Sequence, residues 1–219
     1  MKKYKPFLTL AFLLAEAILY YLVLTAQGPL LIWSTFSSIV LCALFVLTTT
    51  DKPLLLGGMI FTVAADFFLI ICNPIQQLYG MLFFLVVQFL YAIFLHRQSF
   101  SKWWLLVRVG LMAVIAGIAL VILKDKADPL AIVSVLYYAN LFLNAVMAFG
   151  RFRNFPLLAI GFTLFILCDS VIGLQVASQG YLPIPEGSAL HKLLFSGFNL
   201  AWFFYLPSQV LIALTAAKE

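Results

Sequence analysis

Apolar residues fill most of the chain in long runs, and short polar connections separate these runs. Since one membrane crossing needs about 20 apolar residues, the pattern predicts eight membrane-spanning helices. The predicted spans are residues 7–26, 30–49, 53–72, 79–95, 103–123, 130–149, 156–178 and 192–216. The first run has the length of a span and contains Glu16, so we interpret it as a span rather than a cleaved signal peptide.

The composition agrees with this pattern. Of the 219 residues, 65% are hydrophobic and 10% are charged, whereas soluble proteins are about half apolar. The net charge of +5 comes from basic residues in short loops, so it does not indicate nucleic-acid binding. The three cysteines lie in apolar runs without a Cys-x-x-Cys spacing, and we expect buried free thiols. The sequence predicts an all-α polytopic transmembrane bundle, a single integral membrane domain over residues 1–219.

Basic residues are divided unequally between the two sides of the membrane. With a cytoplasmic N-terminus, nine lysines and arginines fall inside and three fall outside, namely Lys124, Lys126 and Lys192. Arg108 falls within the fifth span. Because cytoplasmic loops carry the excess of basic residues, we expect both termini to be cytoplasmic, in a multi-pass protein of the cell membrane.

Two of the spans carry an aspartate at the same depth. One span begins at Pro53 and the other at Pro156, and an aspartate follows thirteen residues later in both, at Asp66 and Asp169. A charged residue at a helix centre costs about 2.5–3.5 kcal/mol on insertion scales. Because two spans carry such a residue at the same depth, the sequence predicts that Asp66 and Asp169 share a site. Glu16 is a weaker candidate for a third member, because nothing in the fifth span pairs with it.

A second similarity relates the two halves of the chain. Spans 2 and 6 both begin with the pattern Pro-Leu-x-Ile-x-Ser, from Pro29 and from Pro129. Halves of four spans each, residues 1–101 and 102–219, would share one topology and be related by an axis along the membrane normal, as in parallel-repeat transporters. Asp66 and Asp169 would then face each other across that axis.

Other polar side chains within the spans are expected to turn inward, because lipid cannot satisfy their hydrogen bonds. Tyr137, Asn140 and Asn144 lie three and four residues apart in span 6, and therefore on one helix face. Such residues either join helices or line a hydrated pocket. Spans 4 and 8 add further candidates: Gln88, Tyr91, Tyr205 and Gln209.

The two histidines argue against two classes of hydrolase. His96 ends span 4 and His191 precedes span 8, on opposite sides of the membrane. A zinc site built on histidines and a Ser-His-Asp triad are therefore not expected, and we expect no metal and no cofactor. Two carboxylates without these groups leave acid–base hydrolysis or proton-linked transport.

In their order and spacing, these residues resemble the lysoplasmalogenase family, the YhhN-like group of eight-span membrane proteins. The resemblance runs from about Lys52 to Ile212. Two positions depart from the family pattern: Ala65 stands where the family usually has glycine, and Gln88 stands where it usually has histidine, which weighs against a proton relay there. The matching residues are Lys52, Pro53, Asp66, Gly80, Tyr91, Tyr137, Asp169, Tyr205 and Gln209.

The resemblance implies hydrolysis of the vinyl ether bond of 1-alkenyl lysophospholipids to a fatty aldehyde and a glycerophospho-base. One protonated carboxyl would deliver a proton to carbon, and one ionised carboxylate would stabilise the cation and activate water, as in glycosidases. We expect Asp66 and Asp169 in these roles, in an order the sequence leaves open, and the phosphate near Lys124, Lys126 or Lys192. The expected substrate-binding residues are Tyr137, Asn140, Asn144, Gln88, Tyr91, Tyr205 and Gln209.

Two other functions fit the same residues. A small proton-coupled transporter would also use parallel repeats and carboxylates near the membrane midplane. A lipid-binding or scaffolding membrane protein would use the aspartates only to join helices.

Overall fold

The computed structural model describes residues 4–98, 102–123, 128–178 and 184–217. Within these ranges the chain forms nine α-helices and no β-strand, which confirms the predicted all-α class. A π-helical turn, Phe67–Ile71, continues the third helix. The helices are α1 Lys5–Thr25, α2 Gly28–Thr49, α3 Pro53–Asp66, α4 Gln77–Arg97, α5 Lys102–Leu123, α6 Pro129–Gly150, α7 Pro156–Ser178, α8 Ala189–Leu194 and α9 Leu200–Ala217.

Eight of the described helices correspond to the predicted spans. Seven of them, namely α1, α2, α3 with its π-helical turn, α4, α6, α7 and α9, are long and apolar enough to cross a membrane. The eighth is α5, which has 22 residues and is apolar over Trp103–Ile118. The fold is therefore a polytopic transmembrane bundle.

The last span begins later than the sequence predicts. The apolar pattern predicts one helix over 192–216, but the chain forms the short helix α8 first and then α9 from Leu200. Gly197, between these two helices, has a φ of +76°. This left-handed conformation interrupts a right-handed helix, and glycine adopts it without a steric penalty. The predicted start of the last span was therefore wrong.

Six helices pack in a closed ring, in the order α2, α3, α4, α6, α7, α9 and back to α2. The first helix packs on α2 and α9 outside this ring, and α5 packs outside it on α6. In the ring, α3 and α7 lie opposite each other with two helices between them on either side. The two aspartate-bearing helices are thus positioned to present side chains to a common interior. Two parallel repeats would give this order, but the repeat itself stays a prediction.

Glycines allow the closest helix contacts of the ring. A Cβ atom at Gly58 of α3 would lie 2.2 Å from Cε1 of Tyr91 in α4. A Cβ atom at Gly161 of α7 would lie 3.1 Å from the backbone oxygen of Ser208 in α9. Small residues at such contacts are typical of membrane bundles, in which packing rather than the hydrophobic effect joins the helices.

Candidate active site

Both aspartates lie in one group of side chains, which we call the carboxylate cluster: Asp66, Asp169, Tyr137 and Tyr205. The hydroxyl of Tyr205 donates a hydrogen bond of 2.6 Å to Oδ2 of Asp66. The hydroxyl of Tyr137 donates to Oδ2 of Asp169. The rings of Tyr137 and Tyr205 both contact Phe84 and Phe165, which places the two hydrogen-bonded pairs side by side. The structure therefore brings together residues from α3, α6, α7 and α9.

Phenylalanine rings enclose the two tyrosines of this cluster. The Phe84 ring centre lies 5.6 Å from that of Tyr137, and the Phe165 ring centre lies 5.3 Å from that of Tyr205. Phe84 and Phe165 also contact each other edge to face, at 5.7 Å. Because both tyrosines are buried, their hydroxyl groups need protein acceptors, which the aspartates supply.

The two aspartate residues differ in their exposure. Asp66 is 2% exposed, whereas Asp169 is partly exposed. Asp66 is the last residue before the π-helical turn of α3, and such turns are frequent at functional sites. Asp169 lies within the regular helix α7. The matched sequence positions therefore do not give matched environments.

A proline in α9 shapes the segment that carries Tyr205. Pro207 lies inside the helix and has no N–H group, so the carbonyl of Phe203, four residues earlier, lacks its helical donor. The hydroxyl of Tyr20 in α1 donates to this oxygen at 3.1 Å. Neighbouring helices commonly satisfy backbone groups that a membrane proline releases, and here α1 does so two residues before Tyr205.

A second polar group is centred on α6, and we call it the arginine cluster. Its members are Arg108 of α5, Asn140 and Asn144 of α6, and Gln88 of α4. Nη2 of Arg108 donates to Oδ1 of Asn144 at 2.8 Å, to the backbone oxygen of Asn140 at 3.2 Å, and to Oδ1 of Asn140. Nδ2 of Asn144 donates to Oε1 and to the backbone oxygen of Gln88, both at 2.9 Å. The predicted stripe of span 6 is therefore divided, with Tyr137 in the carboxylate cluster and both asparagines here.

Arg108 is the residue whose role the sequence analysis missed, although its sequence position contains a signal. An arginine within an apolar span is costly and normally faces the interior of a bundle. Arg108 is only 5% exposed. Its partners come from α6, and nothing in the spacing of α5 residues indicates them.

Two predicted residues belong to neither cluster. The Tyr91 hydroxyl contacts Sδ of Met59 at 3.4 Å, and the Tyr91 ring packs on Phe162. Nε2 of Gln209 donates to Oγ of Ser208 at 3.2 Å, while its buried Oε1 has no partner among the described residues. Tyr91 therefore serves packing here, and Gln209 retains an unused acceptor one turn beyond Tyr205.

Glu16 has partners of its own, away from the aspartates. Oγ of Ser38 donates to Oε2 of Glu16 at 2.6 Å, and Sγ of Cys42 approaches Oε1 at 3.5 Å. Both partners belong to α2, which lies in the ring, whereas Glu16 belongs to α1 outside it. Its contacts join these two helices.

The residues predicted to hold a phosphate lie away from both clusters or outside the described structure. Lys124 and Lys126 lie outside the described residues, and Lys192 is exposed on α8. A groove of about 450 Å³ is lined by α1 and α2 residues such as Leu19, Trp33 and Phe36, and it contains no residue of either cluster. Among the described residues, no three His, Cys, Asp or Glu side chains are grouped to bind a metal ion.

The ring and its carboxylate cluster define a polytopic membrane protein with an intramembrane acidic site. The sequence model of the YhhN family matches residues 30–216, which include both clusters. The chain therefore belongs to the YhhN family, and the resemblance inferred from the sequence is confirmed. No curated protein and no solved structure gave a significant match.

Proposed function

We propose that the protein is a lysoplasmalogenase-like intramembrane hydrolase. In this proposal it cleaves the vinyl ether bond of 1-alkenyl lysophospholipids, without a metal, to a fatty aldehyde and a glycerophospho-base. The main support is one cluster with an aspartate from each of two opposite helices of the ring, in which each aspartate is hydrogen-bonded to a tyrosine and both tyrosine rings contact Phe84 and Phe165. Membership of the YhhN family supports the same class of function.

The proposed reaction uses the two carboxyl groups in turn. A protonated carboxyl transfers its proton to the vinyl carbon that is not bonded to oxygen, and the adjacent carbon becomes an oxocarbenium-like centre. The second, ionised carboxylate stabilises this cation and takes a proton from the water that adds to it. In the resulting hemiacetal the bond between carbon and the glycerol oxygen breaks: the second carboxyl returns its proton to the glycerol oxygen, and the first takes the proton of the hemiacetal hydroxyl. The aldehyde and the glycerol hydroxyl are released, and both carboxyl groups regain their starting states. One water molecule is consumed, and carboxyl pairs catalyse a similar step in glycosidases.

The difference in exposure assigns the roles within this proposal. A charged carboxylate is more costly to bury away from water than a neutral carboxyl. Asp66, which is almost completely buried, is therefore the proposed proton donor. Asp169, the more exposed of the two residues, is the proposed base. The hydroxyl groups of Tyr205 and Tyr137 hold the two carboxyl groups in position.

The proposal also includes an orientation in the membrane. An even number of spans leaves the two termini on one side, and nine of the twelve basic residues outside the spans fall on that side. We propose that this side is the cytoplasm and that the membrane is the cell membrane.

The test is aldehyde release by the purified protein in detergent. We expect release from a 1-alkenyl lysophospholipid and none from the saturated 1-alkyl analogue, because only a vinyl ether yields a resonance-stabilised cation after protonation at carbon. Release should be equal with and without a chelator. Absence of release with both ethanolamine and choline head groups would contradict the proposal. Solute uptake coupled to protons in liposomes, without aldehyde release, would support a transporter instead.

A further inference from the structure

The arginine cluster holds a positive charge whose partners, among the described residues, are all neutral. The acceptors of Arg108 are the backbone oxygen and Oδ1 of Asn140, Oδ1 of Asn144 and Sδ of Met147. Arg108 is buried within the bundle. A buried ion is stable when an opposite charge compensates it, and these contacts supply dipoles but no negative charge.

The same cluster has more donors than acceptors. Three of its buried nitrogen atoms have no partner among the described residues, namely Nε of Arg108, Nδ2 of Asn140 and Nε2 of Gln88. Both amides are oriented by their other contacts, since Oδ1 of Asn140 accepts from Arg108 and Oε1 of Gln88 accepts from Asn144. Buried donors are almost always paired. What the cluster lacks is therefore a group with several oxygen atoms and a negative charge.

The distance between the two clusters is comparable to the distance between the ether oxygen and the phosphorus of a lysophospholipid. On α6, Asn140 and Asn144 follow Tyr137 by three and seven residues, which is about 4.5 and 10.5 Å along a helix axis. On α4, Gln88 follows Phe84 by four residues, and the Phe84 ring contacts Tyr137. In a lysophospholipid, three glycerol carbons and one oxygen separate the ether oxygen from phosphorus, on the order of one helical turn.

We propose that the arginine cluster binds the phosphate of a lysophospholipid whose ether oxygen lies at the carboxylate cluster. This inference rests on the proposed function for the position of the ether. The phosphate oxygens accept from the three unpaired N–H groups, and the phosphate charge compensates Arg108. Arginine is well suited to phosphate because its guanidinium group is planar and permanently charged. The proposed phosphate site thereby replaces Lys124, Lys126 and Lys192.

Binding of uncleavable ligands tests this proposal independently of catalysis. The ligands are a 1-alkyl lysophospholipid, the 1-alkyl glycerol that lacks the phosphate, and inorganic phosphate. We expect wild-type protein to bind the alkyl lysophospholipid at least about tenfold more tightly than the alkyl glycerol. Arg108→Met should lose this preference while its affinity for alkyl glycerol stays unchanged. Arg153→Met, which removes an exposed arginine, should retain the preference.

A second variant covers the case in which Arg108→Met does not fold. Gln88→Glu places a carboxylate where the phosphate oxygens would lie, so it should supply the missing charge, retain the fold and lose the phosphate preference. Retained preference in either folded variant would overturn the proposal. So would tight binding of inorganic phosphate without a preference between the two lipids, which would indicate a site for the free anion. If the wild-type protein prefers the lipid with the phosphate but releases no aldehyde from the vinyl ether substrate, only the proposed hydrolase function is contradicted.

Discussion

The carboxylate cluster and the arginine cluster occupy neighbouring turns of α6 but differ in charge and in the helices that build them. Helices of the ring supply all four members of the carboxylate cluster, and its hydroxyl donors already have acceptors. The arginine cluster takes its cation from α5, outside the ring, and its unpaired atoms are all donors. In the functions proposed above, this difference separates two tasks, with proton transfer in the ring and recognition of an anion at its edge.

The largest expected effect is loss of turnover on changing the carboxylate cluster. Asp66→Asn and Asp169→Asn should each reduce kcat about 10²–10⁴-fold, because an amide retains the size and hydrogen bonding of the side chain but cannot exchange a proton. Aldehyde release by purified protein measures this effect. Glu16→Gln is the matched control, since Glu16 is also a buried acid within a span and should retain near wild-type turnover. Full activity in either asparagine variant would contradict a two-carboxylate mechanism.

The second largest effect is expected on changing the arginine cluster, and it should appear in KM rather than in kcat. Arg108→Met should raise KM for a 1-alkenyl lysophospholipid about tenfold or more, because a charge-assisted hydrogen bond contributes about 1.5–3 kcal/mol. The kcat should change little, since the contacts of Arg108 within the described part of the chain include no carboxyl group. Steady-state kinetics against lipid concentration separates the two parameters. A large fall in kcat at unchanged KM would remove the distinction between the two clusters.

The sequence could predict the carboxylate cluster because the features that define it recur along the chain. Hydropathy gives the spans, and the repeated proline-to-aspartate spacing places Asp66 and Asp169 at one depth. The ring then sets their helices opposite each other. Tyr137 and Tyr205 were predicted as site residues, although no spacing indicates which aspartate each of them contacts.

The arginine cluster could not be predicted in the same way, because its members come from three helices that share no sequence pattern. The three residues of the span 6 stripe were all expected to bind substrate, yet from Tyr137 to Asn144 a helix rises about 10.5 Å, which is enough for two clusters. Similarly, the break at Gly197 depends on one backbone angle, and hydropathy contains no information about it.

A smaller effect is expected for the two tyrosines of the carboxylate cluster. Tyr205→Phe and Tyr137→Phe each remove one hydrogen bond to a carboxyl group and should reduce kcat about three- to tenfold, the equivalent of a typical net hydrogen bond. KM should stay within a factor of about two. If these variants raise KM as Arg108→Met does, the tyrosines position the lipid rather than the carboxyl groups.

The smallest expected effect concerns α1. It distinguishes α1 from α5, the other helix outside the ring. The hydroxyl of Tyr20 in α1 reaches only the backbone oxygen of Phe203, so its contribution is to the helix that carries Tyr205. Tyr20→Phe should lower the free energy of unfolding by about 0.5–1.5 kcal/mol, the net value of one hydrogen bond, while KM stays unchanged. Thermal unfolding in detergent measures the first quantity and steady-state kinetics the second. Tyr21→Phe is the matched control, because Tyr21 is an exposed tyrosine of the same helix and its hydroxyl removal should leave stability unchanged. A raised KM in Tyr20→Phe would mean that α1, like α5, contributes to lipid binding.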